Sequence, residues 1–123
     1  MLVDRYGEVF QKFEEKEMDT GLKWYDGRSI YRKYVRIDLS NYALSREVNI
    51  SANDYDYVFI EQHSCLWSAK SYDLGADHYF YPVNFGKDVN ALIHNNNLVV
   101  SLANSFSGWY NIFYISLLYI KKH

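Results

Sequence analysis

Five acidic residues in the middle of the chain have the chemistry needed to hydrolyse a glycosidic bond. That reaction uses two carboxyl groups, one as general acid and the other as nucleophile or base, held roughly 5–10 Å apart. The acidic residues are Asp54, Asp56, Glu61, Asp73 and Asp77. Their spacing in the sequence selects no pair, and carboxylates in polar, turn-rich stretches are usually solvated. We therefore expect no catalytic residues.

The four histidines and the single cysteine form no recognisable metal or nucleophile motif. The histidines, at positions 63, 78, 94 and 123, show neither HxH nor HExxH spacing. His63 is followed by Ser64 and Cys65, but consecutive side chains of a strand point to opposite faces and make a poor nucleophile–base pair. A lone cysteine supports neither an intrachain disulfide nor a cysteine-based zinc site. The sequence predicts no metal and no cofactor.

Aromatic residues are the unusual feature of the composition, since 13 Tyr, 7 Phe and 3 Trp make up 19% of the 123 residues. An aromatic face stacks well on a pyranose ring when nearby polar groups can bind the hydroxyls. One aromatic group lies near predicted loops, where exposure is favoured. It consists of Trp67, Tyr72, Tyr79 and Tyr81. Glycan binding is the functional interpretation of this group, and packing in the core or an interface is the structural one.

A second aromatic stretch surrounds Asp26-Gly27, a dipeptide typical of two-residue hairpin turns because glycine accepts a positive φ. Two interpretations are open. The stretch is either a sugar platform or a structural hairpin in which Trp24 is buried against the following strand. We expect the structural hairpin.

Strand patterns dominate the rest of the chain. In residues 29–38, Tyr31, Val35 and Ile37 alternate with Arg32 and Arg36, as in a half-buried strand. Further strands are predicted at 57–62, 65–70, 78–83, 89–94 and 98–102, with a turn at Asn95-Asn96-Asn97. Only residues 4–18 show helical spacing. The sequence predicts one all-β domain over 1–123: an antiparallel β-sandwich or jelly roll in 21–123, preceded by an arm or short helix in 1–20.

The last predicted strand, 109–122, has apolar residues at both odd and even positions, and therefore on both faces. One face should meet the core, and the other needs a second layer or a partner chain. The residues expected at an oligomer interface are Ile112, Tyr114, Leu118 and Ile120. The alternative is a strand that residues 4–18 cover within one chain.

Charge and hydropathy exclude several partners. With 13 Lys and Arg against 15 Asp and Glu, the net charge is -2, so the chain lacks the basic excess of a nucleic-acid binder. The apolar run 109–120 is shorter than the ~20 residues of a spanning helix, and the first nine residues lack the apolar core of a signal peptide. We expect a soluble protein without membrane insertion.

Two segments resemble signatures of bacteriophage tail-fibre and other virion appendage proteins. Residues Trp24 to Lys33 read W-Y-D-G-R-S-I-Y-R-K and are similar to the W-x-D-G-K-P-I-Y-R-K signature that begins a terminal β domain in that family. Residues Tyr114 to Lys121 read Y-I-S-L-L-Y-I-K and resemble its closing strand, Y-V-T-L-E-Y-T-K. The resemblance covers roughly 19–122. Ser29 stands where the family has proline, and Leu118 where it has an acidic residue.

The resemblance implies a non-enzymatic structural or adhesion module of a phage virion, made in the host cytoplasm. It would be a fibre or fibre-tip domain that binds a bacterial surface glycan. It also implies a homotrimer that contacts other virion proteins. Two alternatives are a head-fibre or capsid decoration protein that serves assembly, and a depolymerase of capsular polysaccharide.

Overall fold

Nine antiparallel strands form two packed sheets in the computed structural model, which describes residues 16–39, 43–70 and 77–122. The strands are β1 (Met18–Lys23), β2 (Ser29–Leu39), β3 (Ser45–Asn49), β4 (Tyr55–Ile60), β5 (Cys65–Ala69), β6 (His78–Pro82), β7 (Val89–His94), β8 (Asn97–Leu102) and β9 (Tyr110–Lys121). Two short 3-10 turns lie at Ala52–Asp54 and Asn104–Phe106. The large sheet has the order β1-β2-β9-β5-β6, with β4 also paired to β9, and the small sheet has the order β3-β8-β7. The predicted all-β, sandwich-like fold is confirmed.

The central strand of the large sheet is β9. It pairs along one edge with β2, from Tyr31 opposite Tyr119 to Leu39 opposite Asn111. Along its other edge it pairs with β5 in its first half and with β4 in its second half. β9 therefore lies inside the large sheet, with a hydrogen-bonded strand along each of its edges. Most of its side chains are buried on both faces of the sheet, which accounts for the apolar residues at both odd and even positions.

The core lies between the two sheets. From the large sheet it receives alternate residues of β2 and β9 together with one residue of β5, and from the small sheet it receives alternate residues of β7 and β8. These residues are Val35, Ile37, Leu39, Leu66, Phe113, Ile115, Leu117, Val89, Ala91, Leu98, Val100 and Leu102. The period-2 alternation of each strand places its aliphatic set on this inner face.

Both hairpin turns predicted from the sequence are present. Gly27 has φ 90°, its N–H donates to the Trp24 carbonyl at 2.9 Å, and the Trp24 N–H donates to the Arg28 carbonyl at 2.8 Å. The loop therefore has three residues, 25–27, rather than the two expected. In the second hairpin His94 pairs with Asn97, and Asn95 supplies the positive φ of 53°.

The structure differs from the sequence-based predictions in three ways: one boundary, one additional strand and the packing of Trp24. Strand β1 begins at Met18, inside the segment expected to be an arm or helix, whereas the rest of the predicted helix, residues 4–15, lies outside the described residues. Strand β3 was not predicted, because it is an exposed edge strand in which only Val48 is half-buried and no apolar alternation shows. Trp24 is only half-buried and packs on β4, so the expected burial against β2 is wrong.

Over 16–39, 43–70 and 77–122, no helix is long and apolar enough to cross a membrane.

Candidate functional site

The charged residues of the first signature are paired inside the domain. The guanidinium of Arg28 donates to Asp26 within the turn at 2.9 Å, to Asp56 at the start of β4 at 2.5 Å, and to the carbonyl of Lys121 at the end of β9 at 2.9 Å. Arg28 thereby ties the β1–β2 turn to the two strands beside it. We call this set of contacts the Arg28 clamp.

A second polar group crosses β9 on the outer face of the large sheet, the face turned away from the small sheet. Arg32 donates two hydrogen bonds to Glu61, at 2.6 and 3.1 Å, and the hydroxyl of Ser116 donates to the same carboxylate at 2.5 Å. Burial alone would raise the pKa of Glu61. The bonds from Arg32 and Ser116 and the charge of Arg32 outweigh burial, so the pKa lies below its usual value. Glu61 is therefore a poor general acid, and its role is structural.

A third polar group lies on the inner face of the large sheet, at the Tyr119 end of β9. The ring of Tyr119 stacks on those of Tyr55 and Tyr31, with centroids 4.2 and 5.9 Å apart, and the ammonium of Lys33 lies over Tyr55 and Tyr119. The Tyr119 hydroxyl donates to Glu17 at 2.7 Å. Burial and this bond both raise the pKa of Tyr119, so the hydroxyl stays protonated.

The two signatures are thus neighbours in the fold. The first runs through the β1–β2 turn into β2, the second lies in β9, and the two strands are hydrogen-bonded along their length. Their polar side chains bind one another or nearby strands. The arrangement builds a rigid sheet and leaves no pair of free carboxylates among these residues.

The predicted ligand-binding residues do not form one site. Trp67 pairs with Phe80 across β5 and β6, whereas Tyr79 and Tyr81 lie at the alternate positions of β6 and so on the opposite face. Tyr72 lies outside the described residues. Register was the missing information, because the sequence does not give the parity of one strand relative to its partner.

Two of the predicted residues belong to an inner-face group. The rings of Tyr79 and Trp109 lie 6.0 Å apart, and Tyr81 meets Phe106 edge to face at 5.2 Å. The ammonium of Lys70 lies 5.7 Å from the Trp109 ring. Tyr81 and Phe106 also pack against the core. Tyr81 therefore has a packing role, whereas Tyr79 is 49% exposed.

An aromatic surface that the sequence analysis did not assemble lies on the outer face beside the β1–β2 turn. We call it the Trp24 patch, and it consists of Trp24, Tyr25, Tyr57 and Phe59. The Trp24 ring lies 5.4 Å from Tyr25, 5.2 Å from Tyr57 and 6.0 Å from Phe59. A signal was available in the sequence: the unbroken apolar run 57–60 places two aromatics on one parity and two aliphatics on the other.

The four residues expected at an oligomer interface differ in exposure. Ile112 is 3% exposed and Ile120 is 1% exposed within the single chain, so neither needs a partner chain to leave water. Tyr114 and Leu118 are half-buried.

A small cavity of about 70 Å³ is lined by Lys33, Val35, Val48, Asn49 and Ile50. Pockets for small organic ligands are typically about 300–1,000 Å³, so this cavity accommodates water molecules rather than a sugar ring. Within the described ranges, no group of three or more His, Cys, Asp or Glu residues is arranged to hold a metal ion.

Comparison with known proteins gives no relative: no family model matches the chain, and no curated protein or solved structure is detectably similar to it.

Proposed function

We propose that this chain is a non-enzymatic module of a bacteriophage virion, a fibre or fibre-tip domain that binds a bacterial surface glycan. The observation that carries the proposal is the pairing of the two signature segments in adjacent strands, with their charged side chains bound within the domain. Residues committed to internal pairs stabilise a scaffold and are not available for bond-breaking chemistry.

The outer surface of the large sheet supports the binding part of the proposal. Monomeric proteins rarely leave contiguous aromatic surface in water without a use for it, and the Trp24 patch is such a surface. The absence of a basic excess in the composition favours a carbohydrate over a nucleic acid as the partner.

The proposal is tested by adsorption. The purified domain, added in excess to host cells, should occupy the receptor and slow adsorption of the phage whose virion carries it. The control is an equal amount of the domain denatured by heat. Unchanged adsorption at saturating domain concentration would contradict a receptor-binding role and favour the alternative of a head-fibre or decoration protein that serves assembly.

A further inference from the structure

We propose that the Trp24 patch is the surface on which the domain binds sugar, and that the sugar is a neutral hexopyranose unit of a glycan. This inference rests on the proposed function and assigns it a site and a ligand class.

The rings of the patch are open to a ligand. Tyr25 is 84% exposed, Phe59 44% and Tyr57 41%, and all three surround the half-buried Trp24. Their centroids lie 5.2–6.0 Å from that of Trp24, so the three exposed rings are grouped around one indole. The apolar C–H face of a pyranose packs on such rings, which offer a large contact area with few rotatable bonds.

The backbone beneath the rings is fixed before any ligand arrives. Two hydrogen bonds between Trp24, Gly27 and Arg28 close the turn, and the Arg28 clamp joins that turn to β4 and β9. Tyr57 and Phe59 stand at alternate positions of β4, a strand paired to the central strand of the large sheet. Because β4 holds Tyr57 and Phe59 and the hydrogen-bonded turn holds the backbone of Trp24 and Tyr25, binding costs less ordering entropy than it would on a free loop.

The polar rim of the patch selects the chemistry of the sugar. Asp56 binds Arg28 through Oδ2, and its Oδ1 has no partner in the part of the chain that the structure describes, so this oxygen is available to accept a bond from a sugar hydroxyl. A carboxylate at this rim accepts bonds from the hydroxyls of a neutral sugar and disfavours the carboxylate of a uronate or sialic acid.

The buried indole N–H of Trp24 gives a second indication that the patch is incomplete. It has no hydrogen-bond acceptor among the described residues. Buried donors in native proteins are almost always paired.

The inner-face group around Tyr79 is the rival site. Only Tyr79 is well exposed there, since Tyr81 packs against the core and the Trp109 ring carries the Lys70 ammonium over it. It offers less open ring surface than the Trp24 patch.

The test is an oligosaccharide array probed with the full chain and four single variants, Tyr25→Ala, Tyr57→Ala, Tyr79→Ala and Phe85→Ala. The array carries neutral hexose, amino-sugar and uronate-containing oligosaccharides. We expect the wild-type chain to bind neutral members, and Tyr25→Ala and Tyr57→Ala each to weaken binding at least about tenfold, as for an aromatic at the centre of a binding surface. The matched control is Phe85→Ala, because Phe85 is an aromatic of almost the same exposure as Tyr25, at 85%, in the loop between β6 and β7. It should bind within about twofold of wild type.

The outcomes distinguish failure of the proposed glycan-binding function from failure of the Trp24 patch as its site. If the wild-type chain binds no oligosaccharide, the proposed function fails together with this site. If it binds and Tyr79→Ala abolishes binding while Tyr25→Ala does not, the function stands and the Trp24 patch is overturned as the site. A preference for uronates would overturn the assigned sugar class. Loss of self-association in Tyr25→Ala, seen by light scattering, would instead identify the patch as a contact between copies.

Discussion

At the scale of single residues, the charged side chains of the first signature bind partners within the domain. Their contacts give them a structural role rather than a catalytic one. Arg28 and Arg32 are each bound to carboxylates, and Glu61 is held by three hydrogen bonds. A carboxylate whose pKa is lowered in this way stays ionised and stabilises the fold near neutral pH. The residue types can be read from the sequence, but these partners cannot, because Arg32 and Glu61 meet only when β2 and β4 both lie beside β9.

We predict that Glu61→Gln lowers stability at pH 7 by about 1.5–3 kcal/mol, the range for hydrogen bonds to a charged group. Because the pKa of Glu61 is lower in the folded chain than in the unfolded one, its contribution is present above the unfolded value and is lost as pH falls through the folded value. Arg32 is the cation bound to this carboxylate, and His63 Nδ1 lies 3.8 Å from it.

Urea unfolding of wild type and Glu61→Gln from pH 7 to pH 3 measures this effect. The difference between the two proteins should shrink as pH falls below about 4.5. Glu17 also has a lowered pKa, so both proteins lose stability in acid, and only their difference reports on Glu61. A difference that stays constant over the whole range would contradict the assignment.

At the scale of elements, the alternation of apolar and polar residues was enough to predict most of the strands. It located β2, β4 to β9 and the Asn95 hairpin, because each has apolar residues at every second position or a turn residue that tolerates positive φ. It missed β3, whose side chains are mostly exposed. It also could not give register, and a one-residue change of register moves a side chain to the other face. That is why Trp67 was grouped with Tyr79 and Tyr81, and why the Trp24 patch was not assembled.

Gly27 in the β1–β2 turn can be compared with Gly86 in the loop between β6 and β7. Gly27 has φ +90°, whereas Gly86 does not have a positive φ, and a Cβ added at either position meets nothing within 4 Å. Gly27→Ala should therefore cost about 1–2 kcal/mol through backbone strain alone. Gly86→Ala should leave stability unchanged or raise it by up to about 1 kcal/mol.

Thermal unfolding of the two alanine variants beside wild type separates these effects. A lower Tm for Gly27→Ala with an unchanged or higher Tm for Gly86→Ala is the expected pattern. Equal Tm values for the two variants would show that the turn does not need the left-handed backbone at Gly27.

At the scale of the whole molecule, the fold changes the argument for assembly. The apolar outer residues of β9 suggested an oligomer interface, but Ile112 and Ile120 are already buried in one chain and β9 is central. The homotrimer stays a proposal that rests on the resemblance to phage fibre domains. Exposed outer-face residues, such as those of the Trp24 patch, are then either ligand-binding or contacts between copies.

We predict a mass near three times 14.6 kDa for the full chain at micromolar concentration. Light scattering coupled to size exclusion measures it over a tenfold range of concentration, so that a dissociating trimer is distinguished from a monomer. A concentration-independent mass near 14.6 kDa would contradict the trimer. The glycan-binding proposal would then apply to a monomer.

The most direct test of the central claim is equilibrium binding of the wild-type chain to purified surface polysaccharide of the host bacterium, followed by measurement of the length of the recovered polysaccharide. We predict saturable binding and recovery of the polysaccharide at its original length, without new reducing ends. Absence of binding would contradict a glycan-recognition module. Binding with release of reducing ends would instead identify a depolymerase.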